Sequence, residues 1–201
     1  MTNMKRSCLA LAILFLAAPA FAQERLEPDL SAMSGLPPDP NFAQSIFPDA
    51  FDRAVRIRVL QWPAQHIAAM TGIRATASGY AIFSLESDRL KAQAAIDARC
   101  ETPIDRLLAG RIIAVWKTML MQTRYRDPPW TGLDGADYFF AMGVGSWPMT
   151  GHIWSPKEGT NPGRLVAISL AMYEVCKAAN KDWTKLDGLT ADLEKNLQSQ
   201  N

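Results

Sequence analysis

Side chains that could act on a substrate concentrate between positions 124 and 158 of this sequence. Asp134, Asp137 and Glu158 could supply the acid and base of a glycosidase-type site, but the sequence does not set the separation of their carboxyl groups. His152 could act as a general base toward Ser155, but residues three positions apart on a strand point to opposite faces. We therefore expect His152 to make a structural hydrogen bond, with an envelope hydrolase using Asp134, Asp137 or His152 as the alternative.

Other motifs for catalysis or ligand binding are not matched. Gly143, Gly145 and Ser146 lack the Gly-x-Ser-x-Gly spacing of a nucleophile elbow, and no helix follows the glycines as a nucleotide-binding loop requires. The aspartates between 127 and 137 lack the regular spacing and the distal glutamate of a calcium loop. The cysteines and histidines show no zinc-ligand spacing, so we predict neither a metal site nor a cofactor.

Aromatic and charged side chains in the same region favour recognition instead. Trp130 and Trp147 lie in predicted loops, and exposed tryptophans concentrate binding energy. Arg124 could pair with a carboxylate or phosphate, although an arginine at a helix end also interacts with the last helix carbonyls. The sequence favours a non-enzymatic binding or inhibitor-type protein that uses loops around 124–134 and 145–154. The predicted binding residues are Arg124, Trp130, Asp134, Trp147 and His152.

The amino terminus indicates export. Lys5-Arg6 precedes an apolar run over 8–18, and Ala20-Phe21-Ala22 has the small-x-small pattern of a signal-peptide cleavage site. The run is shorter than the roughly 20 residues that a membrane-spanning helix needs. We expect residues 1–22 to be a signal peptide cleaved after Ala22, no membrane span, and a periplasmic or secreted product.

Cysteine usage agrees with an oxidising compartment. Of three cysteines, Cys8 lies in the predicted signal peptide, which leaves Cys100 and Cys176. We expect a disulfide between them, with two buried thiols as the alternative.

The charge balance bears on partners. The chain has 21 basic and 20 acidic side chains and no basic patch interleaved with aromatic residues, so nucleic acid is not an expected partner. An envelope protein is the expected partner, and the sequence does not determine the oligomeric state.

The elements that position these residues belong to one α+β domain over 51–201. A proline-rich arm over 23–50 precedes it, and this arm could instead bind a partner as an added strand. Alternating apolar residues predict strands at "RAVRIRVLQW", "GYAIFSLES", "ADYFFAMGVG" and "TGHIWS", with Val55, Ile57 and Val59 sharing one face. We expect an antiparallel sheet of about four strands with two or more amphipathic helices packed on one face.

Apolar residues that recur three and four positions apart predict two long helices. The first is predicted to begin with Thr102 as N-cap and Pro103 as first residue, and the second begins at Asn161-Pro162. Antiparallel packing of these helices would bring Cys100 and Cys176 together. Shorter helices are predicted over "DRLKAQAAIDA" and 187–197.

Four short motifs, "TRY", "GLDG", "DYFF" and "WSP", occur in this order before the second long helix. Together they resemble a group of small secreted bacterial proteins with no assigned activity. The resemblance covers roughly Cys100 to Cys176. It implies a Gram-negative periplasmic or secreted setting and supplies no catalytic residues.

Overall fold

Six strands form one antiparallel sheet in the computed structural model, which describes residues 25–28, 40–63, 67–88, 96–124, 135–143 and 148–200. The strands are β1 Val55–Pro63, β2 Ile67–Thr76, β3 Gly79–Asp88, β4 Ala98–Ile104, β5 Ala136–Met142 and β6 Met149–Trp154. Their spatial order is β4-β3-β2-β1-β5-β6, and every neighbouring pair is antiparallel. β4 and β6 are therefore the edge strands.

The predicted α+β class with an antiparallel sheet is confirmed, but the sheet has six strands instead of about four. β1, β3, β5 and β6 coincide with the predicted strands. β2 and β4 were missed. The middle of β2 is buried on both faces, so its sequence lacks the alternation that reveals a half-buried strand. β4 includes Thr102 and Pro103, which were predicted to begin the first long helix.

Helices cover both sides of this sheet. They are α1 Pro40–Ile46, a 3-10 turn Pro48–Phe51, α2 Arg106–Met121, α3 Asn161–Lys177 and α4 Thr184–Ser199. α4 is longer than the predicted 187–197 helix. The helix predicted over "DRLKAQAAIDA" falls mostly on residues 89–95, outside the described residues. No helix in the described part of the chain combines the length and apolarity that crossing a membrane requires.

The start of α2 corrects the sequence prediction. Asp105 is the N-cap, and its carboxylate accepts hydrogen bonds from the backbone N–H groups of Leu107 at 2.8 Å and Leu108 at 3.0 Å. Thr102 therefore does not cap this helix, and Pro103 lies in an edge strand, where its missing N–H is tolerated. For α3 the predicted start is confirmed, with Thr160 as N-cap.

The face of the sheet that contacts α2 and α3 is here called the helical face, and α4 packs on these two helices. Its core includes the fully buried Trp116 of α2, which meets Phe140 of β5 edge to face at 5.1 Å between ring centroids. Leu26, although it precedes the predicted domain, is buried in the same core.

The other side, here called the second face, is covered by α1 and the 3-10 turn. Ile46 and Phe47 are buried there against Leu60, Met70 and Phe83. The prolines of residues 23–50 suggested an extended arm, but Pro40 occupies the first position of α1, where its missing N–H carries no penalty. The described part of that segment thus packs on the sheet.

An irregularity in β1 changes which side chains share a face. The pairing register with β2 shifts between Val55 and Ile57. As a result Val55 packs in the core of the second face while Ile57 and Val59 pack in that of the helical face, so the prediction that all three share one face is wrong for Val55. Arg58, which alternation placed toward solvent, is buried on the second face.

The predicted cysteine pairing is confirmed by a disulfide between Cys100 and Cys176, with 5.9 Å between their Cα atoms. The bond joins edge strand β4 to the last turn of α3 instead of joining two antiparallel helices. It therefore fixes one edge of the sheet to the helical layer.

Candidate functional site

Residues 25–28 run along the outer edge of β6. The backbone N–H of Glu27 donates to the carbonyl of His152 at 2.8 Å, and the N–H of His152 donates to the carbonyl of Glu27 at 2.6 Å. Leu26 can approach closely because residue 151 is glycine, where an added Cβ would lie 3.0 Å from the Leu26 side chain. The segment thereby pairs with backbone N–H and carbonyl groups that would otherwise be unpaired along the β6 edge.

The same segment also holds Arg124. The backbone N–H of Arg124 donates to the carbonyl of Leu26 at 2.9 Å, and the Arg124 side chain is exposed. Two predicted binding residues that are distant in sequence, Arg124 and His152, are therefore attached to the two sides of one short segment.

His152 is oriented by two neighbours on the second face. Its Nε2 lies 2.8 Å from Oδ1 of Asp137, and its ring stacks on Phe139 at 4.7 Å between centroids. The side chains of His152 and Asp137 keep 22% and 33% of their exposure, so solvent and partners can reach the pair. The expected structural hydrogen bond of His152 is present, and Asp137 is its partner.

This pair has the components of an acid–base site but lacks a nucleophile within the described part of the chain. Across those residues, no serine hydroxyl or cysteine thiol is hydrogen-bonded to the imidazole of His152. Ser155 instead accepts a hydrogen bond from the N–H of Ala136 at 3.0 Å and belongs to the turn after β6. Gly135 makes that contact possible, since its φ is +148° and a Cβ there would lie 2.1 Å from the Ser155 hydroxyl oxygen.

Three predicted binding residues, Trp130, Asp134 and Trp147, lie outside the described residues. Their proposed roles stay predictions. In the described ranges, no group of three or more histidine, cysteine, aspartate or glutamate side chains is arranged to hold a metal ion.

Sequence reasoning missed Arg58 as a candidate site residue. Only 7% of Arg58 is exposed, its guanidinium lies 4.4 Å from the centroid of the Phe51 ring, and Nη1 donates to the carbonyl of Gly143 at 3.0 Å. Burial lowers the pKa of Arg58 to about 10, so the side chain is still a cation at neutral pH. Alternation along β1 indicated only that Arg58 opposes Ile57 and Val59, and its contacts with Phe51 and Gly143 follow from the fold.

Comparison with protein-family models, with curated protein sequences and with solved structures finds no significant match to this chain. The interpretation of the site therefore depends on its own geometry.

Proposed function

We propose that this chain is a non-enzymatic binding protein of the bacterial envelope, of the inhibitor type. Its recognition surface comprises the edge formed by β6 and residues 25–28 together with the segments 124–134 and 145–154. In this proposal the protein acts in the periplasm or after secretion, on an envelope protein.

One observation carries the proposal: residues 25–28 join the two segments that the sequence singled out. Leu26 accepts from the backbone of Arg124, and Glu27 pairs with His152. The exposed Arg124 side chain and the half-buried His152–Asp137 pair thus share one edge of the molecule. Arginine and tryptophan concentrate binding energy in interfaces, and Trp130 and Trp147 are the tryptophans that the sequence predicts for the same segments.

The hydrogen bond between His152 and Asp137 favours one second candidate, a hydrolase that uses His152 as its base. A carboxylate that orients a histidine is one element of such sites. The binding interpretation is preferred because in the described residues the imidazole has no hydroxyl or thiol partner.

The test is capture of partners from an envelope extract with the purified protein as bait. The variants are Arg124→Ala, His152→Ala and Trp130→Ala/Trp147→Ala, and the matched control is Lys195→Ala, which removes an exposed cation from α4. We expect one protein to be retained by the wild type and by Lys195→Ala, and to be reduced at least tenfold with the edge variants. Circular dichroism establishes that each bait is folded.

The outcome that contradicts the proposal is equal retention by all folded baits, or retention of nothing by the wild type. Turnover of an envelope substrate that His152→Ala abolishes would instead support the hydrolase.

A further inference from the structure

A cavity of about 100 Å³ opens between the docked amino-terminal elements and the second face of the sheet. Its walls include Ala43 of α1 and Phe51 of the 3-10 turn, and its floor includes Leu60, Met70 and Phe139. The lining is predominantly apolar, which is typical of small-molecule sites.

The register of the strands places two polar side chains at one end of this floor. Arg58, Ala141 and Thr150 form one row across β1, β5 and β6, and Leu60, Phe139 and His152 form the next row. Both Arg58 and Thr150 line the cavity. A cation and a hydroxyl therefore lie beside an apolar floor.

Arg58 differs from the half-buried Arg74 and Arg111, each of which has an anionic partner. Arg111 pairs with Asp187 and Glu194, and Arg74 pairs with Glu101 at 3.7 Å. Within the described ranges no carboxylate forms an ion pair with Arg58, whose polar contact is the carbonyl of Gly143. A guanidinium has five N–H donors, and the hydrogen bond to a described residue accounts for one of them.

Cavity size and charge define the class of ligand. A cavity of about 150 Å³ accommodates benzene, so this smaller one limits the ligand to an aliphatic chain of a few carbon atoms. One guanidinium in an apolar cavity compensates a single negative charge, whereas a phosphate ester would bring more charge and more acceptors than one cation satisfies. A carboxylate matches the planar fork of the guanidinium.

We propose that the cavity beside Arg58 binds a small aliphatic monocarboxylate, with the carboxylate on Arg58 and the hydrocarbon chain over Leu60, Met70 and Phe139. The inference goes beyond the proposed function: the cavity shares Thr150 with the 145–154 segment, but the residues that carry the proposal, Arg58, Leu60, Met70 and Phe139, lie outside the proposed recognition surface.

The experiment compares butanoate with butan-1-ol, which has the same chain length and no charge. Titration calorimetry with the purified protein is expected to give at least tenfold tighter binding of butanoate. Arg58→Met should reduce butanoate binding to the level of the alcohol, because it keeps the aliphatic stem and removes the charge. Arg56→Met is the matched control, since Arg56 lies on the same strand and is exposed.

Equal affinity for the acid and the alcohol, or an unchanged preference in Arg58→Met, would overturn the proposal. Should Arg58→Met fail to fold, NMR of the wild-type arginine Nε–H groups decides the question. A single arginine signal that moves with butanoate and not with butan-1-ol supports the site, and no selective shift refutes it.

Discussion

At the scale of single residues, Gly72 shows how closely the sheet and its side chains are packed. It lies in β2, opposite Arg58 of β1 and Phe83 of β3. A Cβ added at Gly72 would lie 2.3 Å from the carbonyl oxygen of Ile57 and 2.8 Å from the Phe83 ring. Because one of these neighbours is backbone, a side chain at this position must displace β1.

We therefore predict that Gly72→Ala lowers the free energy of unfolding by about 2–3 kcal/mol through overpacking. The matched control is Gly188→Ala in α4, where nothing lies within 4 Å of an added Cβ. That change should raise the free energy of unfolding by about 0.5–1 kcal/mol, as alanine is the better helix former. Urea unfolding measures both, and a Gly72→Ala protein as stable as the wild type would contradict the packing described.

The same scale shows what sequence reasoning can and cannot find in a site. Arg124 and His152 were identified by residue type, and their common edge depends on hydrogen bonds to residues 25–28. Arg58 was missed because alternation along β1 indicates only that its side chain opposes Ile57 and Val59. Whether that opposite face meets water or another layer depends on the docking of α1, which no local pattern encodes.

At the scale of elements, a polar cluster ties β3 to α3 near the disulfide. Glu86 of β3 accepts hydrogen bonds from Lys177 at 2.7 Å and from the hydroxyl of Tyr173. Burial raises the pKa of Glu86, but the hydrogen bonds from Lys177 and Tyr173 outweigh this effect, and the net pKa is lowered. The ionised carboxylate is thus the form that the folded state stabilises.

The lowered pKa predicts a specific pH dependence for Glu86→Gln. The folded protein holds fewer protons on Glu86 than the unfolded chain, so the stabilisation is present above the ordinary glutamate pKa of 4.5 and is lost as pH falls through the lower folded-state pKa. We expect Glu86→Gln to be less stable than the wild type by about 1–2 kcal/mol at pH 7, with the gap closing below pH 4.5.

Chemical unfolding at several pH values between 2 and 8 provides the measurement. Glu158→Gln is the matched control because Glu158 is exposed, and it should follow the wild type throughout. A gap for Glu86→Gln that is constant with pH would show that ionisation of Glu86 is not the source of the stabilisation.

Alternation and turn residues predicted β5 and β6, and capping residues with an apolar stripe predicted α3. β2 is buried on both sides in its middle and gave no alternating pattern. β4 does alternate in burial, but its Thr102-Pro103 pair matched the start of a helix and led to the wrong assignment. Burial on both faces does not by itself hide a strand, since β3 was predicted although Ala81 to Leu85 are all buried.

At the scale of the whole molecule, two separate cores share one sheet, and covalent and backbone contacts attach both edges of that sheet to other elements. The disulfide joins β4 to α3, and residues 25–28 pair with β6. Residues 25–28 cover part of the β6 edge, which makes that edge less able to pair with another chain.

Loss of the disulfide is therefore expected to act on the entire fold. We predict that Cys100→Ala/Cys176→Ala lowers the free energy of unfolding by about 2–5 kcal/mol, as for other long disulfide loops. Reduction of the wild type should produce a protein of similar stability. Guanidinium unfolding with and without reductant makes the comparison, and insensitivity of the wild type to reductant would contradict a stabilising bond.

The position of residues 25–28 has a consequence for the timing of folding during synthesis. These residues leave the ribosome before every other described segment, yet their hydrogen-bonding partners are Arg124, near the middle of the chain, and His152, later still. Leu26 has no core to enter until α2 and β6 have been made. A nascent chain that stops before β6 cannot complete this edge, so we expect native structure here to form after translation of most of the polypeptide and not alongside it.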